Sequence, residues 1–397
     1  MIPPTAACGG APSLAGPSGR SRIHFRAMEG QGPLSEEMFH SFLQLAVKRQ
    51  ASDVHFEVGY PPTYRVFGEL LAAKTPPLAH SDTEAIANFV LQAPGAGFTP
   101  LDFREVDRSY SLPGVSRFRA SIFKQRGSWG AVMRTIPFQI PDFETLNLPP
   151  VVRTIAEARR GLICVTGATG NGKSTTIAGI INHIINQERL HVIAVEDPIE
   201  FIFAGGKGLV IQREVGSDTA SYTDALRAAL RQDPDIIMVG ELRDRESADI
   251  CLKAAETGHL VITSLHTPDV PRAIGRLVGL FPADEQETVR ARLADNLQAV
   301  IALRLLMRAD AAGLIPAVEA LLATSTVREL IRDGNKIAEL KTYMETAGSD
   351  LGMHSFDQYL YRLHESKRIS LDSALANATN RADLERRILM ETGGRSA

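Results

Sequence analysis

The residues Gly167-Ala168-Thr169-Gly170-Asn171-Gly172-Lys173-Ser174, with Thr175 next, have the spacing G-x-x-x-x-G-K-S of a phosphate-binding loop. Glycines let the backbone wrap phosphate oxygens with no Cβ in the way. Backbone N–H groups at the start of the following helix then face the anion. Lys173 would reach the β- and γ-phosphates, and the Ser174 hydroxyl would bind Mg²⁺. The flanks are those the motif needs. Residues 162–166 read as a short buried strand, and Ile177, Ile180, Ile181, Ile184 and Ile185 form one apolar helix face. The loop therefore implies a nucleoside triphosphate and Mg²⁺.

Three further stretches carry polar groups at strand ends, where ligands bind in open α/β sheets. A strand over 191–195 delivers Glu196 and Asp197, with Pro198 ending the ladder and Glu200 beyond. Alone this is an ordinary acidic turn. Beside a phosphate loop, a carboxylate that polarises the attacking water is the better reading. A strand over 236–239 is followed by Gly240 and Glu241, placing Glu241 to hold Mg²⁺, directly or through water. Asp235 precedes that strand and would lie about 16–20 Å away, at the far end, with a structural role. Arg243 and Asp244 are expected to pair with each other.

His259 and His266 bracket a third buried strand. His266 would lie at the ligand-facing end and sense the γ-phosphate, while His259 is either part of that chemistry or structural. No third ligand is spaced to make a metal site with them. Ser221 starts a helix whose Arg227 and Arg231 face either a subunit interface or solvent.

A second cluster, Arg104, Arg108, Arg117, Arg119, Arg126 and Arg134, lies far upstream. Arg117 and Arg119 alternate on one strand face, with Arg134 placed on a neighbouring strand. Salt bridges to Glu105 and Asp107 would explain them. Phosphate contact is preferred, because arginines supply transition-state charge in phosphoryl transfer.

The elements that must position these groups follow from the rest of the 397 residues. Hydrophobic content of 44% and charged content of 22% are those of a globular chain. The net charge of −3 argues against broad nucleic-acid binding. Cys8, Cys164 and Cys251 are far apart, which excludes a four-cysteine zinc site and fits a reducing compartment. Cys164 and Cys251 read as core. No apolar run approaches the length of a membrane span. Residues 1–30 are rich in Pro, Gly and Ser, with scattered Arg20, Arg22 and Arg26, and read as a disordered tail, Met28 being a candidate internal start.

From 31 to 140, a helix over 34–50, extended pieces near 54–58 and 64–66, a helix over 81–91 and a meander over 106–111, 116–124 and 131–136 make a small α+β domain. Residues 141–155 hold Pro141, Pro149 and Pro150 and read as a linker. Residues 156–397 alternate strands (161–166, 191–195, 209–212, 236–239, 260–264) with helices, an α/β domain with a parallel core sheet. Helices are expected near 284–304, 325–333, 353–366 and 370–377.

Taken together, GATGNGKST (167–175), AVEDPIEF (194–201), QREVGSDTASYTDALRAALRQDPDIIMVGELRD (212–244) and TGHLVITSLHT (257–267) resemble the secretion-superfamily ATPases, most of all the type IV pilus retraction motors. VDRSYSLPGVSRFRASIFKQRG (106–127) and ASDVHFEVG (51–59) are similar to the same family, and the resemblance covers roughly residues 34 to 380. It implies a RecA-like P-loop ATPase domain behind a PAS-like N-terminal domain, a homohexamer with ATP at subunit boundaries, and action at the inner face of the cell membrane through an inner-membrane platform protein. A paralogous retraction ATPase is a further implied partner. Glu196 matches the family's catalytic base, Glu241 its second-motif acid, and His259 and His266 its histidine pair. Arg119 and Arg134 are the candidates to reach ATP, their own or a neighbour's. Asn171 departs from the usual serine or threonine, at a position where the backbone is expected to matter. Residues 325–332 match the retraction-associated motif only loosely. The lack of a four-cysteine insert argues against the extension and type II secretion branches.

Overall fold

The computed structural model describes residues 33–66, 68–92, 104–136, 140–203, 205–311, 313–346 and 348–393. The expected tail, with Cys8 and Met28, lies outside them. The described chain divides into two compact units, with the boundary in sequence between Thr135 and Ile136.

In the first unit, α1 (Glu36–Lys48) is capped by the Ser35 hydroxyl, which accepts from the Met38 N–H. Its stripe of Phe39, Phe42, Leu43 and Ala46 is buried. The strands are β1 (Asp53–Phe56), β2 (Thr63–Val66), β3 (Glu69–Ala72), β4 (Glu105–Leu112), β5 (Ser116–Gln125) and β6 (Ser128–Ile136), with α2 (His80–Leu91) between β3 and β4. They form one sheet in the order β3-β2-β1-β6-β5-β4. Phe56, Tyr64, Phe118, Ile122 and Met133 pack with the buried faces of both helices. This is the α+β unit expected. The edge strand β3, exposed at every residue, gives too little burial pattern for a sequence to reveal it.

The second unit opens with α3 (Val151–Ala156). It continues through β7 (Gly161–Thr166), α4 (Lys173–Gln187), β8 (His191–Glu196), β9 (Leu209–Glu214), α5 (Tyr222–Ala229), β10 (Ile236–Val239), α6 (Arg245–Glu256) and β11 (Leu260–Leu265). Then follow α7 (Val270–Val278), α8 (Gln286–Asn296), β12 (Leu297–Met307) and β13 (Leu314–Leu322). The chain closes on α9 (Ser325–Arg332), α10 (Glu339–Glu345), α11 (Phe356–Glu365), α12 (Leu371–Ala376) and α13 (Arg381–Gly393). The sheet order is β13-β12-β7-β11-β10-β8-β9. All pairs are parallel except β12 with β13. Strands β7, β10 and β11 are buried at every residue because helices cover both faces. The five isoleucines of α4 lie at 0–3% exposure, each burial contributing about 2 kcal/mol. The RecA-like α/β class is thus what this unit forms.

One expectation changes. The helix placed near 284–304 ends at Asn296, and Leu297–Met307 is a strand beside β7. Residues 299–303 are apolar and buried throughout, and such a run has no face to reveal its period, so strand and helix look alike there. Its antiparallel partner β13 was not anticipated. Within residues 141–155, Phe143, Val151, Val152 and Ile155 are buried in one cluster with Ile177, Ile180 and Ile181.

Cys164 and Cys251 are buried free thiols, as expected, and burial pushes the Cys164 thiol up to about 12. Among the described residues no helix is long and apolar enough to cross a membrane.

Candidate nucleotide site

The phosphate loop joins β7 to α4 at the carboxyl end of the sheet. Gly170 and Gly172 adopt φ of 82° and 85°, left-handed values that favour glycine, and Gly172 is the N-cap of α4. At Gly167, whose φ is 150°, contact adds a second constraint: an added Cβ would stand 2.7 Å from the Leu303 carbonyl oxygen of β12. Lys173 is buried, and its Nζ donates to the carbonyls of Gly167 at 3.0 Å and Ala168 at 3.2 Å. Burial lowers its pKa, opposed by the charges of Glu241 and Glu200. Asn171 does more than supply backbone: its Oδ1 accepts the Leu305 N–H at 3.3 Å and ties the loop to β12.

Around this loop lies a cavity of about 370 Å³ lined by Thr169, Gly170, Gly172, Lys173, Ser174, Thr175, Glu196, Glu200, Tyr222, Gly240, Glu241, Ser264 and His266, among others. Four strand ends therefore deliver polar groups to one place. Glu196, the last residue of β8, is 5% exposed. Burial pushes its carboxyl up to about 7, against the lowering effect of a hydrogen bond from Gln212. Gln212 of β9 donates to Glu196 Oε1 at 3.0 Å and to the Phe201 carbonyl at 2.7 Å, which fixes the carboxylate. A carboxyl that titrates near neutrality and faces a cavity can take a proton and return it. The Asp197–Pro198 peptide that follows is cis.

Glu241 stands opposite, past β10. Its carboxylate meets Arg243 Nη2 at 2.9 Å and His266 Nε2 at 3.3 Å. Arg243 therefore pairs with Glu241 and not with Asp244, which caps α6 by accepting the Ser247 N–H. Between them, Ser264 Oγ donates to the Gly240 carbonyl at 2.6 Å and locks β11 to the turn after β10. The loop after β11 is held as well, by Thr166 Oγ1 with Thr267 at 2.6 Å.

The structure brings Gly170, Gly172, Lys173, Ser174, Thr175, Glu196, Glu241 and His266 to one cavity. It does not bring His259 there. His259 precedes β11 at the opposite end, its Nδ1 3.0 Å from the Ala254 carbonyl of α6. Asp235 is at that end too and accepts the His191 N–H at 2.8 Å, the structural role expected. Arg119 and Arg134 belong to the first unit, where Arg119 pairs with Asp107 at 3.3 Å and Arg134 with Asp53 at 2.9 Å. Arg119 thus makes one of the salt bridges weighed as the alternative, and Arg134 makes one with an acid not considered there. Gln212 and Tyr222 were not singled out from sequence as site residues. A polar residue two before Glu214 on a strand beside Glu196 is the signal that points to Gln212.

The family model described as type II/IV secretion system protein matches residues 132–360. The chain is 41% identical to the type IV pilus retraction ATPase PilT of Pseudomonas aeruginosa, over 85% of this chain and 96% of that protein. It is 38% identical to the type IV pilus ATPase PilU of the same organism, over 90% and 92%. Among solved structures, it is similar to the pilus retraction motor PilT with bound ADP, with a TM-score of 0.75 and 40% identity over 87% of this chain and 98% of that one. The loop, the acids beside it and this likeness along most of its length place the chain in the type II/IV secretion system family, as an ATP hydrolase.

Proposed function

We propose that this chain is the motor that retracts a type IV pilus, withdrawing pilin subunits from the base of the fibre. The observation that carries the reading is the 41% identity to the Pseudomonas aeruginosa retraction ATPase over nearly the whole of both chains. The motor is a homohexamer at the inner face of the cell membrane and acts on an inner-membrane platform protein.

In each subunit the loop residues 167–175 wrap the phosphates of ATP, with Lys173 exchanging the carbonyls of Gly167 and Ala168 for phosphate oxygens. Glu196 is the base that receives the proton of the attacking water. Ser174 and Glu241 would hold Mg²⁺. They fit that ion, since both face the cavity and Mg²⁺ is usually held by one or two protein groups plus phosphates and water. When bound, the ion neutralises charge on the phosphates. His266, in contact with Glu241 at the cavity, senses the γ-phosphate. Arg119 and Arg134 are assigned to the ATP of a neighbouring subunit, which requires them to leave Asp107 and Asp53.

The test is deletion of the gene in its native host, with surface pili counted and twitching movement scored. Excess pili without movement is expected; loss of pili would mean an assembly motor. A second reading, an accessory motor beside a paralogue, is favoured by the 38% identity to PilU over 90% of this chain. Unchanged pili and movement would point to that accessory role, or to a redundant or separate secretion role.

A further inference from the structure

Gly240 has an unusual neighbour. A Cβ built on it would stand 2.9 Å from the hydroxyl oxygen of Tyr222, closer than real Cβ contacts come, while its next nearest atoms are 3.4 Å away. The glycine cannot shift to make room. Its N–H donates to the Val195 carbonyl at 2.8 Å, and its own carbonyl accepts from Ser264 at 2.6 Å. Its φ is not left-handed, so the backbone itself would accept alanine. The space is therefore kept for the tyrosine hydroxyl.

Tyr222 is the first residue of α5, fixed by the Ser221 cap. Its ring packs against the main core, and it lines the nucleotide cavity. Burial, then the charges of Asp197, Glu241 and Glu196, with Arg243 opposing, raise its pKa and keep the proton on. A neutral donor thus stands on the carboxylate side of the cavity, where Glu196 is an acceptor.

We propose that Tyr222 positions the attacking water, its O–H donating to the water oxygen while Glu196 accepts a water proton. This rests on Glu196 as the base. The step balances. The water oxygen bonds to the γ-phosphorus, the bond from phosphorus to the β–γ bridging oxygen breaks, and ADP leaves with that electron pair. The proton passes to Glu196, and phosphate is formed. The tyrosine loses nothing; it fixes one lone pair of the water so that the other points at phosphorus.

The experiment compares Tyr222→Phe, Gly240→Ala and the double variant by steady-state ATP hydrolysis, with thermal melting as a folding control and Glu196→Gln alongside. Tyr222→Phe should lower kcat about 10- to 100-fold with KM for ATP within about twofold and melting unchanged. Gly240→Ala should lower kcat similarly by displacing the hydroxyl. The double variant should be no slower than Tyr222→Phe, because the clash disappears with the oxygen. Wild-type kcat in Tyr222→Phe, or a raised KM alone, with Glu196→Gln inactive, would overturn the tyrosine's role and leave the base standing. Wild-type turnover in Glu196→Gln would remove the base, and the proposal with it.

Discussion

The two ends of the parallel sheet carry similar residues and do different things. At the carboxyl end, Glu196, Glu241 and His266 line a cavity of about 370 Å³; at the amino end, Asp235 and His259 line one of about 340 Å³. Each has acid, imidazole and a nearby cation, Lys173 or Arg159. The difference is helix polarity. At the carboxyl end α4 begins, offering unpaired N–H groups and the positive end of its dipole. At the amino end α6 finishes, and its carbonyls face out. There Thr257 Oγ1 donates to the Lys253 carbonyl at 3.0 Å, and His259 sits on the Ala254 carbonyl. Helix polarity favours a polyanion at the first end and disfavours it at the second.

The largest test of this contrast sets Lys173→Ala against Arg159→Ala. Phosphate-release assays should show a loss of about 1000-fold or more for the first. The second removes only an ion pair with Glu188 and should leave turnover within about twofold. Comparable losses would mean that the far end also handles phosphate.

Next comes Glu196→Gln, with an expected loss in kcat of about 100-fold or more. Its pH profile is the sharper reading. The carboxyl is held up at about 7, so the base form appears as pH rises through 7, and wild-type kcat should climb across that interval and then level. The glutamine variant should be flat. Stability runs the other way. A folded pKa above the unfolded value means that the stabilisation is complete below about pH 4.5 and is lost as pH rises through 7. The variant should therefore lose less stability than wild type over the same interval, measured by denaturant unfolding.

Glu241→Gln should cost less, about tenfold, with the Mg²⁺ titration shifted to higher concentration. An unmoved titration would leave Glu241 as a partner of His266 and Arg243 only.

The site was legible where chemistry fixes spacing. The G-x-x-x-x-G-K-S run, the acids after 191–195 and 236–239, and His266 after 260–264 all follow from strand ends that must reach one edge. What escaped depends on packing across the sequence. Gln212 reaches Glu196 because β9 pairs in register with β8, and Tyr222 reaches the cavity because Gly240 leaves room. Asn171 matters through its side chain only because β12 runs beside the loop, and β12 itself was hidden in a run buried on both faces. In 141–155 the prolines that suggest a linker are visible in the sequence, and the packing of Phe143 on α4 is not.

The smallest effect expected is the most exacting for the comparison. His259→Ala removes an imidazole that sits on the α6 carbonyl end, 3.0 Å from Ala254 O and 3.1 Å from Thr257 Oγ1. Losing one such bond at a half-exposed position should lower stability by about 1 kcal/mol. Hydrolysis should stay within about twofold, because no atom of His259 lines the nucleotide cavity of its own chain. The family resemblance puts His259 beside His266 in the catalysis, and the fold sets them at opposite ends of one strand. A tenfold loss of turnover in the assembled protein, with the melting temperature little changed, would show that the amino end of one subunit's sheet acts on another subunit's nucleotide. Helix polarity would then decide where ATP binds, but not which residues turn it over.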